Sequence, residues 1–493
     1  MIDRRLAVLC MLSGLPAAAA PVTAQKVVDE YLRAMGGSKA ITRVTNAAIA
    51  GSLTEAASGS SGSFSVFTKA PNRYYSEIII GSDRVIEAYN GMSAWGQDAG
   101  DAPRTLTAGA AKEAEAAGRY RNGALADVKK SKLVLDLLPL EKVRGRDAYH
   151  VRVRLSPSIA REVYFDAQTH LIVRESGGGQ QFDYDDYRPV SGIPTPHRIE
   201  LRRGGHEYTI AVTRAEYNGS LDASVFDFPK AGAAPAPDIK ALILEVTRNQ
   251  HAIEEMMKQY TCHLTVEEEK VDSKGQAATK TVKEFEVFYV AGEEVRRLIA
   301  RDGKPLAGDE KKKEDERFNK EFEKLQKHAA EMASDPKKQK KQDEKEEAQI
   351  SDFLRVLRFT NARRERFRGQ EVIAVDFGPN PEYKPKKAIE GAVQKLAGVV
   401  WIDEKARDVA RLEAHFSDAV KIGLGLLASL EKGSNFVFEQ AKVNDEVWLP
   451  SYTEVHMTGR VLVVKLRAHE IDRYSDYKKF SAESRIVGVK QEE

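Results

Sequence analysis

The chain has 493 residues, 42% of them hydrophobic and 30% charged, a length that can bury about two or three separate cores. The 76 Lys and Arg residues against 74 Asp and Glu residues give a net charge of +2, so charge gives no support for a polyanionic partner and we expect no nucleic acid. The two cysteines exclude a disulfide framework, because Cys10 lies in the leader described next and leaves Cys262 alone. We interpret Cys262 as a small packing residue, with a reactive thiol as the less favoured alternative.

The N-terminus has the pattern of a secretory signal peptide. Arg4 and Arg5 form a basic start, residues 6–15 are a short apolar run, and small residues offer cleavage after Ala20 or Ala24. Residues 1–24 are therefore predicted to be a signal peptide. No later stretch has the roughly eighteen uninterrupted apolar residues of a transmembrane helix, so we expect a soluble, exported protein in the periplasm.

The first half of the mature chain is predicted to begin with a helix and to continue as antiparallel strands. Apolar residues at helical spacing follow Gln25 and stop at Gly36. The segment Ala108–Val128 is rich in Ala and Glu and predicts a helix with a break near Gly118, and Lys132–Leu138 predicts a second short helix. Alternating residues between turns predict strands at Ala47–Thr54, Ser63–Lys69, Tyr74–Ile80, Asp83–Tyr89 and around Ala94-Trp95.

A hairpin unit between Arg161 and Arg203 occurs twice in the chain. The first copy has alternating apolar residues on both sides of a turn at Asp166–Thr169, followed by two further strands. The same layout returns near residue 399, with Asp403–Ala406 in the turn position. The segments before the two hairpins, LEKVRGRDAYHVRVR and RRERFRGQEVIAVDF, are also alike. We interpret the chain as two copies of one antiparallel β unit.

An Ala/Pro-rich linker at 231–238 separates two predicted domains, 25–230 and 239–478. The second domain opens with a predicted helix, Ile239–Tyr260, as the first domain did. Residues 479–493 are predicted to be a polar tail. Strands of the second domain are predicted at Thr261–Glu269, Thr281–Val290, Glu294–Ala300, Phe353–Phe359 and Arg460–Tyr474.

A charged segment at 309–349 interrupts the second domain. It consists almost entirely of Lys, Glu, Asp and Gln, with basic and acidic residues nearly in balance. This composition predicts a solvated helical insertion, with a disordered arm as the alternative, and the balance of charge argues against a polybasic nucleic-acid tail.

Three segments of the first domain carry a family resemblance. They are Lys69–Arg73 after a strand, Asn90–Trp95 in a hairpin and Leu221–Pro229 at the end of the domain. In order and spacing they resemble the Lys-Arg-Pro-Asn turn, the Asp-Gly-x-x-Leu-Trp segment and the closing Val-Asp-x-x-x-Phe-x-Phe-x-Pro segment of the bacterial lipoprotein-carrier family, the Lol carriers and their half-barrel relatives, which sort outer-membrane lipoproteins. The second domain resembles the family only through the internal repeat.

The resemblance implies an α+β fold of two tandem incomplete antiparallel β-barrels, or half-barrels, each covered by helices, with the charged helical insertion in the second. It also implies an apolar inner face that holds lipid acyl chains or a lipidated protein. Ala70 stands where the carriers place an arginine that helps to hold the lid, so a more general lipid-binding or envelope-sensing role is equally compatible. The candidates for lining such a cavity, each of which could instead pack against the covering helices, are Phe64, Val66, Tyr75, Ile79, Ile86, Trp95, Tyr164 and Tyr184.

The sequence shows no constellation of catalytic or metal-ligating residues. None of the ten His residues forms a His-Glu-x-x-His motif or a His-x-His pair, and Gly-x-Ser-x-Gly and P-loop motifs are absent. Gly423–Ala428 fits a dinucleotide-binding pattern only superficially, because no βαβ unit follows it. Glu175, Asp183, Asp185 and Asp186 form an acidic group that we expect to be solvated rather than to bind Ca²⁺. We therefore expect no enzyme, no cofactor and no metal.

Two functions remain open at this point. The first is a periplasmic lipid- or lipoprotein-binding protein of the outer-membrane lipoprotein carrier type. The alternative is a non-enzymatic envelope scaffold or stress sensor that uses the same fold to bind a protein partner. A hydrolase is less favoured than either, because it would need a pocket of titratable groups that the sequence does not offer.

Overall fold

The computed structural model of the chain describes residues 22–479 except 157, 230–236, 272–276, 291–292, 335–349, 387, 423–427, 445 and 462–463. Most of the predicted signal peptide and linker, the second part of the charged insertion and the tail from 480 onward lie outside the described residues. The glycine pattern at 423–428 lies outside them as well, apart from its last residue. None of the described helices combines the length and hydropathy that are needed to cross a membrane.

The described residues form seven helices and 27 strands. The helices are α1 (Ala24–Ala34), α2 (Ser38–Thr42), α3 (Ala108–Arg121), α4 (Ile239–Met257), α5 (Gly308–Ser334), α6 (Ile350–Val356) and α7 (Ala388–Val393), with short 3₁₀ helices at Ala124–Asp127 and Ala223–Phe226. The strands up to the linker are β1 (Asn46–Glu55), β2 (Ser61–Lys69), β3 (Arg73–Ile80), β4 (Asp83–Tyr89), β5 (Ala94–Gln97), β6 (Arg104–Thr105), β7 (Val134–Leu137), β8 (Glu141–Val143), β9 (Arg146–Ser156), β10 (Ile159–Asp166), β11 (Ile172–Gly177), β12 (Gln180–Val190), β13 (Ile193–Arg203) and β14 (His206–Tyr217). The strands after the linker are β15 (Tyr260–Val271), β16 (Ala277–Val290), β17 (Glu293–Arg301), β18 (Lys304–Pro305), β19 (Arg358–Phe367), β20 (Gln370–Gly378), β21 (Leu396–Asp403), β22 (Val409–Phe416), β23 (Val420–Ile422), β24 (Ala428–Leu430), β25 (Asn435–Val443), β26 (Val447–Val461) and β27 (Val464–Lys479).

The chain divides by contacts into two compact units. Unit 1 comprises the residues up to Gly62 together with Gly123–Gly219, and unit 2 comprises Ser63–Asn122 together with the chain from Ser220 onward. The domain limits predicted from the sequence, 25–230 and 239–478, stay a prediction.

Within unit 1 the strand order is β1-β14-β13-β12-β11-β10-β9-β7, with β8 also paired to β9. Within unit 2 one run is β6-β5-β4-β3-β2, and the second sheet has the order β18-β17-β16-β15-β27-β26-β25-β22-β21-β20-β19. The pairings are antiparallel, and within the described residues the sheets stay open. The α+β class with two large incomplete antiparallel barrels is therefore confirmed.

The repeated hairpin is confirmed down to its turn chemistry. Asp166 Oδ1 accepts hydrogen bonds from the backbone N–H groups of Gln168 and Thr169, at 2.9 and 2.8 Å. In the second copy, Asp403 Oδ1 accepts hydrogen bonds from the backbone N–H groups of Lys405 and Ala406, at 2.9 and 2.6 Å. An aspartate that binds the backbone ahead of it makes an Asx turn, so both copies reverse direction by the same local interaction.

The turns before the two hairpins are equally alike. Arg144 and Gly145 have φ angles of 48° and 81°, and Arg368 and Gly369 have 48° and 83°. Two successive positive φ values define the tight turn that matches the twist of a β-hairpin, and glycine tolerates such a value without steric cost.

Helix α1 packs on unit 1 as its sequence predicts. The side chain of Thr23 accepts a hydrogen bond from Lys26 N at 3.2 Å and so caps the first turn. Val28 is fully buried, and Tyr31 meets the buried ring of Phe165 edge to face at 5.3 Å.

A large apolar core of unit 2, which we call the α4 core, combines α4, α6 and α7 with the strands β20, β21 and β22. Asp238 caps α4 by accepting from the backbone of Lys240 and Ala241. The core residues, all buried, are Leu242, Ile243, Val246, Leu354, Val356, Leu357, Ile373, Val375, Phe377, Val393, Leu396, Val400, Ile402, Val409, Leu412 and Ala414.

The charged insertion begins as a helix, α5, that is anchored on one side. Phe318 is 6% exposed and packs with Val290 and Val295, and the ring of Phe288 lies 5.5 Å from its own. The guanidinium of Arg297 lies over the ring of Phe318, at 5.8 Å from its centroid. The predicted helix is confirmed for the described part of the insertion, and its one apolar side is packed rather than solvated.

Three predicted elements are wrong. Lys132–Leu138 contains strand β7 instead of a helix, because Val134–Leu137 pairs with β9 and tertiary pairing overrides local preference. The strand predicted at Phe353–Phe359 covers the end of helix α6 and the start of strand β19 instead. Leu354 and Val356 are helical because α6 packs them into the α4 core. The strand predicted at Arg460–Tyr474 spans two strands, because Arg460 belongs to the end of β26 and β27 begins at Val464.

Candidate functional site

The three segments that resemble the lipoprotein carriers come together in unit 2. Gly91, with a φ of 98°, lies against Asn72 and Arg73, so the turn after β4 touches the turn after β2. Trp95 Nε1 donates a hydrogen bond of 2.9 Å to the backbone oxygen of Phe226, which belongs to the segment Leu221–Pro229. We call Leu221–Pro229 the closing segment.

Three of the predicted cavity residues share one face of the sheet. Tyr75 stands opposite Ala88, and Ala88 stands opposite Trp95, so the side chains of neighbouring strands lie side by side. Ile86 joins them two residues before Ala88. Together with Phe226, which is fully buried, these residues form what we call the Trp95 cluster.

The closing segment covers this cluster with aromatic rings. Phe228 lies 5.7 Å from Trp95, and Trp95 lies 6.0 Å from Tyr75. The side chain of Asp222 starts the 3₁₀ turn by accepting from Ser224 N at 3.0 Å, and this backbone hydrogen bond holds the pKa of Asp222 below its ordinary value. The cover is therefore a single 3₁₀ turn with two phenylalanines, not an α-helix or a paired strand.

On strand β2 the residue that packs against the cluster is Phe67, which is not among the predicted cavity residues. Phe67 stacks on Tyr75 with the ring centroids 5.7 Å apart. Phe64 and Val66 have the opposite parity on β2 and so belong to its other face. Phe64 is buried, and Val66 and Ile79 are half-buried, but none of the three belongs to the Trp95 cluster. Alternation alone could not tell the two faces apart, because both carry aromatic residues.

Helix α3 covers the face opposite to the Trp95 cluster. It packs Ala114 against Tyr89 and Ala94, which alternate with Ala88 and Trp95 along β4 and β5. A Cβ on Gly118 would lie 2.1 Å from the backbone oxygen of Asn72, so the helix touches the sheet backbone at that point. Burial raises the pKa of Tyr89 far above its ordinary value, and the nearby carboxylate of Glu115 adds to the shift.

The remaining two predicted residues, Tyr164 and Tyr184, belong to unit 1. Tyr164 stacks on His150 at 4.1 Å, and burial raises the pKa of its hydroxyl. Tyr184 donates from its hydroxyl to Glu175 Oε1 at 2.6 Å, and both residues are buried. Each tyrosine thus has a partner within the sheet of unit 1, and a cavity-lining role for either stays a prediction.

The acidic group around Asp183 is neutralised by arginines. Arg174 stands opposite Asp183 and donates to both of its carboxylate oxygens, at 2.5 and 2.8 Å. Arg144 and Arg202 approach Asp183 at 3.8 and 3.7 Å. These cations occupy the environment that a Ca²⁺ ion would need.

A buried polar network fastens the turn at Asn90 to the second sheet. Asp376 is fully buried, and its Oδ2 accepts from Asn90 Nδ2 at 3.1 Å, Ser93 Oγ at 2.9 Å and Asn361 Nδ2 at 3.0 Å. Its Oδ1 accepts from Arg363 Nη1 at 2.7 Å. Four donors satisfy the carboxylate, as a buried charge requires.

Arg363 extends this network to the Trp95 cluster. It donates from Nε and Nη2 to Thr105 Oγ1 at 3.0 and 2.7 Å, and its guanidinium lies 5.1 Å from the centroid of Phe228. Sequence reasoning missed Asp376 and Arg363. The available signal was a single acidic residue inside the apolar run from Val372 to Gly378, which is unusual in a buried strand.

No protein-family model and no curated protein matches the chain. Solved structures with similarity include a DUF1329 family protein from Desulfovibrio piger, with a TM-score of 0.30 and 15% sequence identity over 41% of this chain and 97% of that chain. A LolA superfamily protein from Nitrosomonas europaea has a TM-score of 0.29 and 13% identity over 42% of this chain and 99% of that chain. The complex of MucA and MucB from Pseudomonas aeruginosa has a TM-score of 0.16 and 10% identity over 92% of this chain and 99% of that chain.

Proposed function

We propose that this chain is a periplasmic, non-enzymatic binding protein of the lipoprotein-carrier type, which holds lipid acyl chains or a lipidated protein on the face of Tyr75, Ile86 and Trp95. The observation that carries the proposal is the nature of the cover. Two phenylalanines of the closing segment, Phe226 and Phe228, fill an aromatic face that would otherwise be open to an apolar ligand.

The closing segment is suited to reversible displacement. Its 3₁₀ turn has few backbone hydrogen bonds, so it opens at less cost than a strand of the sheet. An acyl chain that replaces Phe226 and Phe228 returns the same kind of apolar contact to Tyr75 and Ile86. Displacement also frees the indole N–H of Trp95, which can then donate to an ester carbonyl of the ligand.

Native mass spectrometry of residues 25–493 with oleic acid and with dioleoyl phosphatidylethanolamine tests this function. We expect one ligand per chain, and tighter binding in Phe228→Ala because part of the cover is removed. Phe436→Ala is the matched control, since Phe436 is a half-buried phenylalanine that packs on the α4 core instead. The proposal fails if neither the natural chain nor Phe228→Ala binds lipid, or if Phe436→Ala changes affinity as much as Phe228→Ala.

A protein partner is the second candidate function, and it is favoured by strand β7. In the described part of the chain this strand pairs on one side only, with β9, and it is the last strand of its run. Val134 is 54% exposed, and Leu140, shortly after the strand, is 53% exposed. An edge strand with exposed apolar side chains can accept an extended segment of an envelope protein by strand addition.

The second candidate is tested by chemical cross-linking in a periplasmic extract. Val134→Lys places a charge on the edge, which blocks strand addition without altering a buried position. We expect a cross-linked species that is lost in Val134→Lys and kept in Leu244→Lys, because Leu244 is an equally exposed apolar residue that lies in helix α4 instead of the strand. An unchanged pattern in Val134→Lys would refute a role for this edge.

A further inference from the structure

A row of polar side chains crosses the second sheet on one face. Strand register places Glu269 opposite His469, His469 opposite His456, His456 opposite Asn435, and Asn435 opposite His415. Directly opposed residues of antiparallel strands lie side by side on the same face. The row therefore brings together residues that are far apart in the sequence.

Glu454 joins the row because it precedes His456 by two positions on β26 and so shares its face. Its Oε1 accepts hydrogen bonds from His456 Nε2 at 2.8 Å and from His469 Nε2 at 3.0 Å. The two imidazole rings are stacked, with their centroids 3.9 Å apart and their planes 10° from parallel. Two imidazoles and a carboxylate thus converge on one point.

We propose that Glu454, His456 and His469 form a binding site for a divalent transition metal ion of the zinc type. One ligand atom from each residue lies within 4.8 Å of the others, and all three residues are half-buried, so an ion can enter from solvent. Zinc binds imidazole nitrogen and carboxylate oxygen at about 2.0–2.2 Å, so a small turn of each stacked ring aims both nitrogens at a shared ion.

Outer groups already orient two of the three ligands. The hydroxyl of Tyr452 donates to Glu454 at 2.8 Å and leaves the other carboxylate oxygen for the ion. Glu269 lies 3.6 Å from His469 Nδ1, on the side of the ring opposite to the ligating nitrogen. A carboxylate behind a histidine ligand fixes the ring and increases its basicity, as in many zinc sites.

Two charged groups outside the three ligands act on the site. Lys112 is the nearby cation that opposes the ion, and Glu269 is the further anion that favours it.

A bound ion would join β26 to β27 by coordination. The two histidines are opposite each other on these strands, and Val461 and Val464 are paired at the end of the same ladder. The site thus adds a cross-link to a hairpin, and three protein ligands leave a fourth position for water or for a side chain of another protein. The sequence did not reveal the site, because its ligands are combined only by the register of the hairpin.

Isothermal titration of ZnCl₂ into untagged, EDTA-dialysed residues 25–493 tests the site. We expect one Zn²⁺ per chain in the natural protein, no stoichiometric binding in His469→Gln, and about tenfold weaker binding in Tyr452→Phe. Zinc should also raise the Tm of the natural protein but not that of His469→Gln. Co²⁺ in place of Zn²⁺ should give the visible absorption of a four-coordinate site.

His263→Gln is the matched control, because His263 Nε2 also lies near one carboxylate, Glu284 at 3.3 Å, but belongs to no cluster of three possible ligands among the described residues. We expect His263→Gln to bind zinc as the natural chain does. If His469→Gln fails to fold, Glu454→Gln replaces it with the same expectation. Absence of stoichiometric zinc binding in the natural chain, or equal binding in His469→Gln and His263→Gln, would show that the row is only a polar ladder.

Discussion

Arg363 Nη1 donates a hydrogen bond of 2.7 Å to Asp376 Oδ1 in the interior of unit 2, where the two side chains are 5% and 0% exposed. The pair binds the turn at Asn90 on one side and Thr105 on the other. Breaking an ion pair this deeply buried would leave a charge without a partner, which is strongly unfavourable.

Asp376→Ala should destabilise the protein by about 3–5 kcal/mol, because it leaves the guanidinium of Arg363 buried without its counter-ion. Urea unfolding followed by circular dichroism measures the effect. The matched control is Glu404→Ala, which breaks the half-exposed pair of Glu404 and the neighbouring Arg364, also 2.7 Å apart. We expect a loss of at most about 1 kcal/mol for that exposed pair. Equal losses in the two variants would contradict the structural role of Asp376.

Gly118→Ala should destabilise the protein although alanine favours helix formation. The added Cβ would lie 2.1 Å from the backbone oxygen of Asn72, so α3 must move away from the sheet. Gly109→Ala, in the same helix, meets no atom within 4 Å and should be neutral or stabilising by up to about 1 kcal/mol. Thermal unfolding of the two variants checks the prediction, and a higher Tm for Gly118→Ala would refute the close contact.

Asp472→Asn should stabilise the protein at pH 7.5 but not under acidic conditions. Burial, assisted by the charge of Glu470, raises the pKa of Asp472 from 3.8 to about 6. A carboxyl with a raised folded-state pKa contributes stability that is fully present below its ordinary pKa and is lost as pH rises through the raised value. The advantage of Asp472→Asn should therefore shrink as the pH falls from 7 through 6 to below 4. A difference in unfolding free energy that is independent of pH would contradict this assignment.

The thiol of Cys262 should be unreactive in the folded protein. Cys262 is 8% exposed, and burial, with the charge of Glu294, raises its pKa from 9.0 to about 12. Treatment of residues 25–493 with a thiol reagent at pH 8 should give no reaction under native conditions and one thiol per chain in guanidinium chloride. Rapid reaction of the folded protein would show that Cys262 is accessible.

The local parts of the fold could be predicted from the sequence because they depend on neighbours along the chain. The turns at Asp166 and Asp403 are made by a side chain and the backbone two and three residues ahead, and alternation around them defines the strands. The resemblance also singled out Trp95 and the closing segment, which the structure brings into contact.

The rest depends on contacts between distant residues. Strand β7 is defined by its pairing with β9, and the choice of Phe67 over Phe64 and Val66 depends on which face of β2 meets Tyr75. Asp376 is unusual inside its apolar run, but its partners, like the pairing of His456 with His469, follow only from the register of the strands. A single sequence carries no signal for such pairings.

The bond between Asn90 and Asp376 joins positions 286 residues apart. If the chain is exported with its N-terminus first, as its leader predicts, strands β3 to β6 reach the periplasm long before the sheet that completes them. The polar groups of Asn90, Ser93 and Thr105 must wait for their partners Asp376 and Arg363 until β19 and β20 have crossed the membrane, and contacts of such long range form slowly. We therefore expect the newly exported chain to depend on periplasmic chaperones during this interval, and the final step of its maturation to be the docking of an early segment onto a late one.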